Sequence, residues 1–79
     1  MKRFYFDMRN DDQFYPDDEG TELDGLVAAR DDAFASLEDY VKGITPTGSR
    51  CCVSVEVSDG NHQPLIMAVL TLEVVPFRF

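Results

Sequence analysis

The sequence predicts a small α+β domain in which one helix packs across one face of a mainly antiparallel sheet of three or four strands. One observation is a single sustained helical period, from Leu23 to Ile44. Another is the two-residue alternation of apolar and polar residues in segments 2–9 and 51–58. The last is a long apolar run over 65–75. The predicted order is ββαββ in two layers, as one domain over residues 1–79.

The helix is expected to begin with Asp24 as its N-cap and to end at Gly43 in the left-handed conformation. Its predicted apolar stripe is Leu26, Ala33, Leu37, Val41 and Ile44, with Leu23, Phe34 and Tyr40 at the edges. Arg30 falls inside this stripe and is the one residue that breaks the pattern.

The strands are predicted from alternation and from turn residues. The first strand is predicted over Lys2 to Arg9, where three apolar side chains share one face. A short second strand is predicted at 13–15. It is an edge strand or ends at Pro16, because proline has no N–H to donate. The Asp59-Gly60-Asn61 sequence predicts a hairpin. The uncharged run after it is typical of a central strand. The predicted core is Phe4, Phe6, Met8, Leu26, Ala33, Phe34, Leu37, Val41, Val53, Val55, Val57, Ile66, Ala68, Leu70 and Leu72.

Charge and composition restrict the class of protein. The chain of 79 residues is 44% hydrophobic, which is too apolar for a disordered chain even at a net charge of −8. Residues 7–39 alone carry twelve acids and two bases, a net charge of −10. Such a surface repels nucleic acid and attracts a basic partner. No apolar run approaches the ~20 residues of a membrane span, and no secretion signal follows Met1. We therefore expect a cytoplasmic protein without a membrane partner.

No catalytic, cofactor or metal site is predicted. His62 is the only histidine and lies in a predicted hairpin loop, whereas Cys51 and Cys52 are adjacent and point to opposite faces of a strand as free thiols. Asp17, Asp18 and Glu19 are contiguous, unlike the alternating acids of a calcium-binding EF-hand loop. We expect no enzyme activity and no bound metal or cofactor.

Two places remain as candidate interaction sites. The sheet face opposite the helix meets either water or a second copy of the chain, because a single helix covers only one side. The candidate residues on that face are Tyr5, Met67, Val69 and Thr71. The other place is the acidic loop, where Arg30 either ties Asp17, Asp18 or Glu19 to the helix or contacts an anionic ligand beside the loop.

Several segments together resemble a known family. They are Arg3-Phe4-Tyr5-Phe6-Asp7, the Pro16-Asp17-Asp18-Glu19-Gly20 loop, Glu22-Leu23-Asp24, Ala28-Ala29-Arg30 and the strand Val53-Ser54-Val55-Glu56-Val57 before Asp59-Gly60. This order resembles a family of short bacterial proteins, frequent in soil and plant-associated species, classed as a domain of unknown function. The chain departs from the pattern at Gly25 and in its aromatic C-terminal tail. The resemblance implies a bacterial cytoplasmic protein and no particular activity.

Three functional hypotheses follow from these observations. The first is a small acidic interaction or accessory protein without chemistry of its own, binding itself as a homodimer or another protein. The second is an inhibitor or antitoxin-like protein whose acidic surface imitates nucleic acid toward a basic partner. The third is an enzyme or small-ligand binder with a pocket beside Arg30.

Overall fold

The computed structural model describes residues 1–43 and 48–77. It confirms the α+β class, with one helix and an open antiparallel sheet of five strands. The elements are β1 (Lys2–Asn10), β2 (Gln13–Tyr15), β3 (Thr21–Leu23), α1 (Leu26–Lys42), β4 (Arg50–Ser58) and β5 (Pro64–Glu73). The predicted count of three or four strands is too low by β3, whose three residues are too few to produce a readable alternation.

The sheet order is β2-β1-β4-β5, and β3 also pairs with β1. β2 pairs with the last part of β1, where Met8 lies opposite Tyr15, and β3 pairs with its first part, where Phe4 lies opposite Thr21. The prediction that the apolar run of β5 forms a central strand is wrong, because β5 is the last strand of the order. An apolar run reports the character of both faces of a strand but not the neighbours on its two edges.

Two turns connect neighbouring strands of the sheet. Asp11 adopts a φ of 50° in the turn between β1 and β2, a conformation that aspartate tolerates better than most residues. In the β4–β5 hairpin, the Asp59 carboxylate accepts hydrogen bonds from the N–H groups of Asn61 and Gln63, both at 2.9 Å. The Asp59-Gly60-Asn61 hairpin prediction is thereby confirmed.

The core lies between α1 and the valines of β4. The buried apolar residues are Phe4, Ala29, Ala33, Leu37, Cys51, Val53, Val55, Val57 and Ala68. Phe6, Met8, Val41, Ile66 and Leu70 pack against them and are partly buried. Three predicted core residues are wrong: Leu26, Phe34 and Leu72 are 45%, 50% and 37% exposed.

The helix is rotated relative to the predicted stripe. Its buried residues are Ala29, Ala33 and Leu37, a run at intervals of four. The two alanines are completely buried, so the helix backbone approaches the valines closely, and the larger Leu26 and Phe34 are left on one flank. Sequence inspection favours large apolar residues as the stripe, whereas this close approach requires small ones.

Both ends of the helix also differ from the prediction. Gly25, rather than Asp24, occupies the N-cap position, and its carbonyl accepts the first helical hydrogen bond from Ala29 N–H at 3.0 Å. Gly43 has a φ of −98°, so the expected left-handed cap does not form. Its N–H instead donates to the carbonyl of Tyr40 at 3.1 Å. The predicted contact of Ile44 lies outside the described residues.

Candidate functional site

The sheet face opposite the core cluster carries most of the predicted interaction residues. Strand register places Met67 opposite Glu56, Val69 opposite Ser54 and Thr71 opposite Cys52. The side chains of β4 on this face are short or polar and do not shield their neighbours on β5. Met67 and Val69 are accordingly 61% and 52% exposed. We call Met67, Val69 and Thr71 the β5 patch.

Tyr5 does not join the β5 patch. It pairs with Ser58 of β4, and its strand β1 lies two strands away from β5 in the sheet. Its ring stacks on the ring of His62, with centroids 4.3 Å apart and planes inclined by 27°. The sequence-based set is therefore brought together only in part, as three residues on the edge strand and one beside the hairpin loop.

The acidic loop is organised by Asp17. Its carboxylate accepts hydrogen bonds from the backbone N–H groups of Phe6 at 3.1 Å, Glu19 at 3.2 Å and Gly20 at 3.0 Å. Its own N–H donates to a carboxylate oxygen of Asp7 at 2.8 Å. Gly20 has a positive φ of 75°, which glycine adopts without a steric cost. Asp17 is thus a half-buried structural residue, whereas Asp18 and Glu19 are exposed.

The predicted tie between Arg30 and the acidic loop is wrong. The Arg30 guanidinium lies 3.3 Å from the carboxylate of Asp31, and both side chains are exposed. Arg3 of β1 contacts the loop instead and ties it to the sheet, donating to the carbonyl of Glu19 and, at 3.3 Å, to the carboxylate of Glu22. The helix rotation turns Arg30 away from the loop, whereas the β1–β3 pairing places Arg3 directly opposite Glu22. The contact of Arg3 with the loop can be predicted from the sequence only if β3 is predicted first.

Two clefts adjoin the helix. One, of about 420 Å³, lies between Leu26, the start of β1 and the β4–β5 loop. The other, of about 280 Å³, lies where the helix flank meets the edge strand and is lined by Phe34, Leu37, Glu38, Val69 and Leu70. Neither cleft includes Arg30 or the acidic loop, so neither supplies the pocket expected beside them. The second cleft could not be predicted from the sequence, because Phe34 was expected to lie in the core.

A polar cluster joins the end of the helix to the first hairpin. The Asn10 side-chain amide donates a hydrogen bond to the Tyr40 hydroxyl at 3.0 Å, and the Cys51 thiol donates to the side-chain oxygen Oδ1 of Asn10 at 3.7 Å. A hydrogen bond with the Tyr40 side chain and the charge of that neighbour raise the pKa of Tyr15. These contacts hold the helix end to the sheet, and they bring together no nucleophile and base.

The described part of the chain holds neither a metal-binding cluster nor a membrane-spanning helix. Residues 1–43 and 48–77 contain no group of three or more histidine, cysteine, aspartate or glutamate side chains arranged to hold a metal ion. Within those ranges, no helix has both the length and the apolar character needed to cross a membrane.

The fold and the surface together place the chain in a structural class: small α+β proteins with an open antiparallel sheet and an apolar, exposed edge strand. Within that class, the chain belongs to the family described as Domain of unknown function (DUF6894), whose model matches residues 3–71. The resemblance to a family of short proteins of unknown function is thereby confirmed. No curated protein and no solved structure matches the chain.

Proposed function

We propose that this protein is a non-catalytic interaction module that self-associates as a homodimer through the β5 patch. One observation carries the proposal: Met67 and Val69, on the same face of an edge strand, are 61% and 52% exposed. Paired apolar side chains of this kind on a small protein are typical of a protein-binding surface. Polar neighbours on β4, such as Ser54 and Glu56, give the patch a rim.

Burial of the β5 patch in a dimer stabilises the association. Complete burial of an exposed valine or methionine side chain lowers the free energy by roughly 1.5–3 kcal/mol. Met67 and Val69 are each about half exposed, so their burial in a dimer gives about half of that value. A two-fold interface contains each residue twice, so the patch contributes on both sides of the axis. The four side chains together then contribute roughly 3–6 kcal/mol, a part of the about 8 kcal/mol that a micromolar dissociation constant requires.

The absence of chemistry is part of the proposal. Cys52 and His62 are the residues with nucleophilic and basic character on this face. Cys52 neighbours Thr71, whose hydroxyl lies 4.0 Å from its sulfur, whereas His62 is stacked on Tyr5. Tyr5 pairs with Ser58, six residues along β4 from Cys52, which corresponds to roughly 20 Å of strand. This separation supports a binding role over nucleophilic catalysis.

A bacterial cytoplasmic setting belongs to the same proposal. Cys51 and Cys52 are both free thiols, and free thiols are typical of a reducing compartment. Detection of the native protein in cell fractions tests this setting.

Sedimentation across a micromolar concentration series tests self-association. We expect the mass to rise toward that of two chains. The double variant Met67→Ser/Val69→Ser should remain monomeric, and Val27→Ser, which removes a 66% exposed apolar side chain from the helix, should behave like the wild type. A wild-type protein that remains strictly monomeric contradicts the proposal.

The acidic surface supports a second candidate, an inhibitor or antitoxin-like protein that imitates nucleic acid. Nine of the twelve acids in residues 7–39 are exposed, so their charge is presented to solvent. A basic nucleic-acid-binding partner should then co-purify at low salt and be released both by salt and by added duplex DNA. Retention of that partner in the presence of excess duplex DNA argues against imitation.

A further inference from the structure

We infer that the homodimer forms by antiparallel pairing of β5 with β5 of a second copy, which makes one continuous sheet. This inference rests on the self-association proposed above and adds its geometry. β5 is the last strand of the order, so alternate N–H and C=O groups along its outer edge have no strand partner within the described residues. Such an edge is a template for another strand.

The sequence of β5 leaves this edge open. Proteins that avoid edge pairing place lysine, proline, inward charges or bulges on the exposed strand. Residues 65–72 contain no charged residue and no proline; Pro64 and Glu73 stand only at the two ends. The single register irregularity, between Val57 and Ser58 of the partner strand β4, also lies at the Pro64 end.

Charge favours this edge as the place where two copies of the chain meet. Two chains of net charge −8 repel one another, so an interface between copies is favoured where each carries little negative charge. Eight consecutive uncharged residues of β5 meet that condition. The acid-rich segment 7–39 contributes no strand at this edge, although it includes the helix above it.

The helix flank above β5 is self-complementary. Leu26, Arg30, Phe34 and Glu38 follow one another at intervals of four and are all exposed. Phe34 and Glu38 line the second cleft together with Val69 and Leu70, which places this flank over the β5 edge. Arg30 and Glu38 therefore lie about 6 Å along the helix axis on either side of Phe34.

Symmetry then determines which residues meet. Antiparallel pairing of two identical edge strands requires a two-fold axis perpendicular to the sheet, so both helices lie on the same side and run antiparallel. With the axis near Val69, Phe34 approaches Phe34 of the partner, and Arg30 faces Glu38 of the partner twice. Glu38 has no ion pair among the described residues, and Arg30 has only the exposed contact with Asp31. On the opposite face, the two β5 patches join into one apolar strip.

Two lysine substitutions distinguish edge pairing from face-to-face docking. Val69→Lys puts like charges beside each other at the centre of the edge. Ser54→Lys puts the same charge on the same face, directly opposite Val69 but one strand inward. Edge pairing predicts that Val69→Lys weakens the dimer at least ~10-fold in sedimentation equilibrium, while Ser54→Lys changes the dissociation constant less than ~3-fold. Circular dichroism confirms that both variants are folded.

A charge exchange provides the second test, on exposed helix positions that do not affect folding. Arg30→Glu and Glu38→Arg should each weaken the dimer about 10-fold, and the double variant should return to within ~3-fold of the wild type. Arg9→Glu makes the same change in net charge far from β5 and should have little effect, because Arg9 lies over Phe14 of β2.

The outcomes separate the two claims. A monomeric wild type overturns both self-association and edge pairing. A dimer that both lysine variants disrupt, or that neither disrupts, overturns edge pairing and leaves self-association standing. Disruption by Val69→Lys alone, with rescue in the charge exchange, supports the antiparallel β5 dimer. Failure of the rescue overturns the proposed approach of the helix flanks.

Discussion

The carboxylate of Asp17 accepts a hydrogen bond from the backbone N–H of Phe6 at 3.1 Å. This bond lies in the middle of β1, between the part that pairs with β2 and the part that pairs with β3. The loop joining those two short strands thereby supplies an acceptor where the strand ladder is interrupted. Asp17 holds the acidic loop against the sheet, so the loop has a structural role before it has any role in binding.

Asp17→Ala should lower the free energy of unfolding by about 1–3 kcal/mol, because three backbone N–H groups lose their acceptor. Asp18→Ala is the matched control. It removes an exposed carboxylate of the same loop and should change stability by less than ~0.5 kcal/mol. Urea denaturation of both variants measures the difference. Equal effects at the two positions contradict the structural role of Asp17.

Gly20→Ala should destabilise the fold by about 1–3 kcal/mol. Gly20 has a φ of 75°, and an added Cβ would lie 3.0 Å from the carbonyl oxygen of Phe4. Gly43→Ala is the contrasting change, because Gly43 is helical in conformation and, among the described residues, its added Cβ would meet the Tyr40 carbonyl oxygen at an ordinary contact distance of 3.8 Å. It should be neutral or slightly stabilising. Thermal melts that rank the two variants in the reverse order refute this assignment.

Tyr40→Phe should lower the pKa of Tyr15 toward its ordinary value, because the hydrogen bond with the Tyr40 side chain is the main cause of the rise. A raised pKa in the folded state means that the contribution of this tyrosine to stability is fully present below the unfolded pKa of about 10 and is lost at higher pH. Titration of the tyrosine ring signals by NMR measures the change. An unchanged Tyr15 titration contradicts the hydrogen bond.

Salt should separate the two proposed functions. Raising the ionic strength screens the repulsion between two chains of charge −8, so self-association through the uncharged β5 edge should strengthen. Binding of a basic partner to the acidic surface should weaken under the same change. Sedimentation at low and physiological salt follows the first process. A dimer that dissociates as salt rises would indicate that charge attraction, such as that between Arg30 and Glu38 of the partner, outweighs the contribution of the uncharged β5 edge.

The sequence predicts the α+β class, the hairpins and the valine face of β4, because each of these depends on short-range alternation and turn residues. It does not predict which strand lies at the edge, since the apolar run of β5 looks the same in either position. It also predicts the wrong buried face of the helix in part: Leu26 and Phe34 were expected to be buried and are exposed, whereas Ala29 is buried. The signal was the repeated interval Ala29, Ala33, Leu37, which identifies a helix that approaches its sheet closely.

The same misplacement explains the error at the candidate site. With Leu26 and Phe34 buried, Arg30 has to reach out of the core toward the acidic loop. With those residues on the flank, Arg30 lies beside them in solvent, and the loop is held by Arg3. The structure places Met67, Val69 and Thr71 together on the sheet face that the sequence predicts, whereas Tyr5 lies on β1, two strands away from β5.

Amide hydrogen exchange along β5 tests the central claim most directly. The account predicts that alternate N–H groups between residues 65 and 72, those directed away from β4, become protected as the protein concentration rises through the dimer dissociation constant. The inward N–H groups and those of β4 should show protection that does not depend on concentration. Outward N–H groups of β5 that exchange equally fast in monomer and dimer would contradict edge pairing.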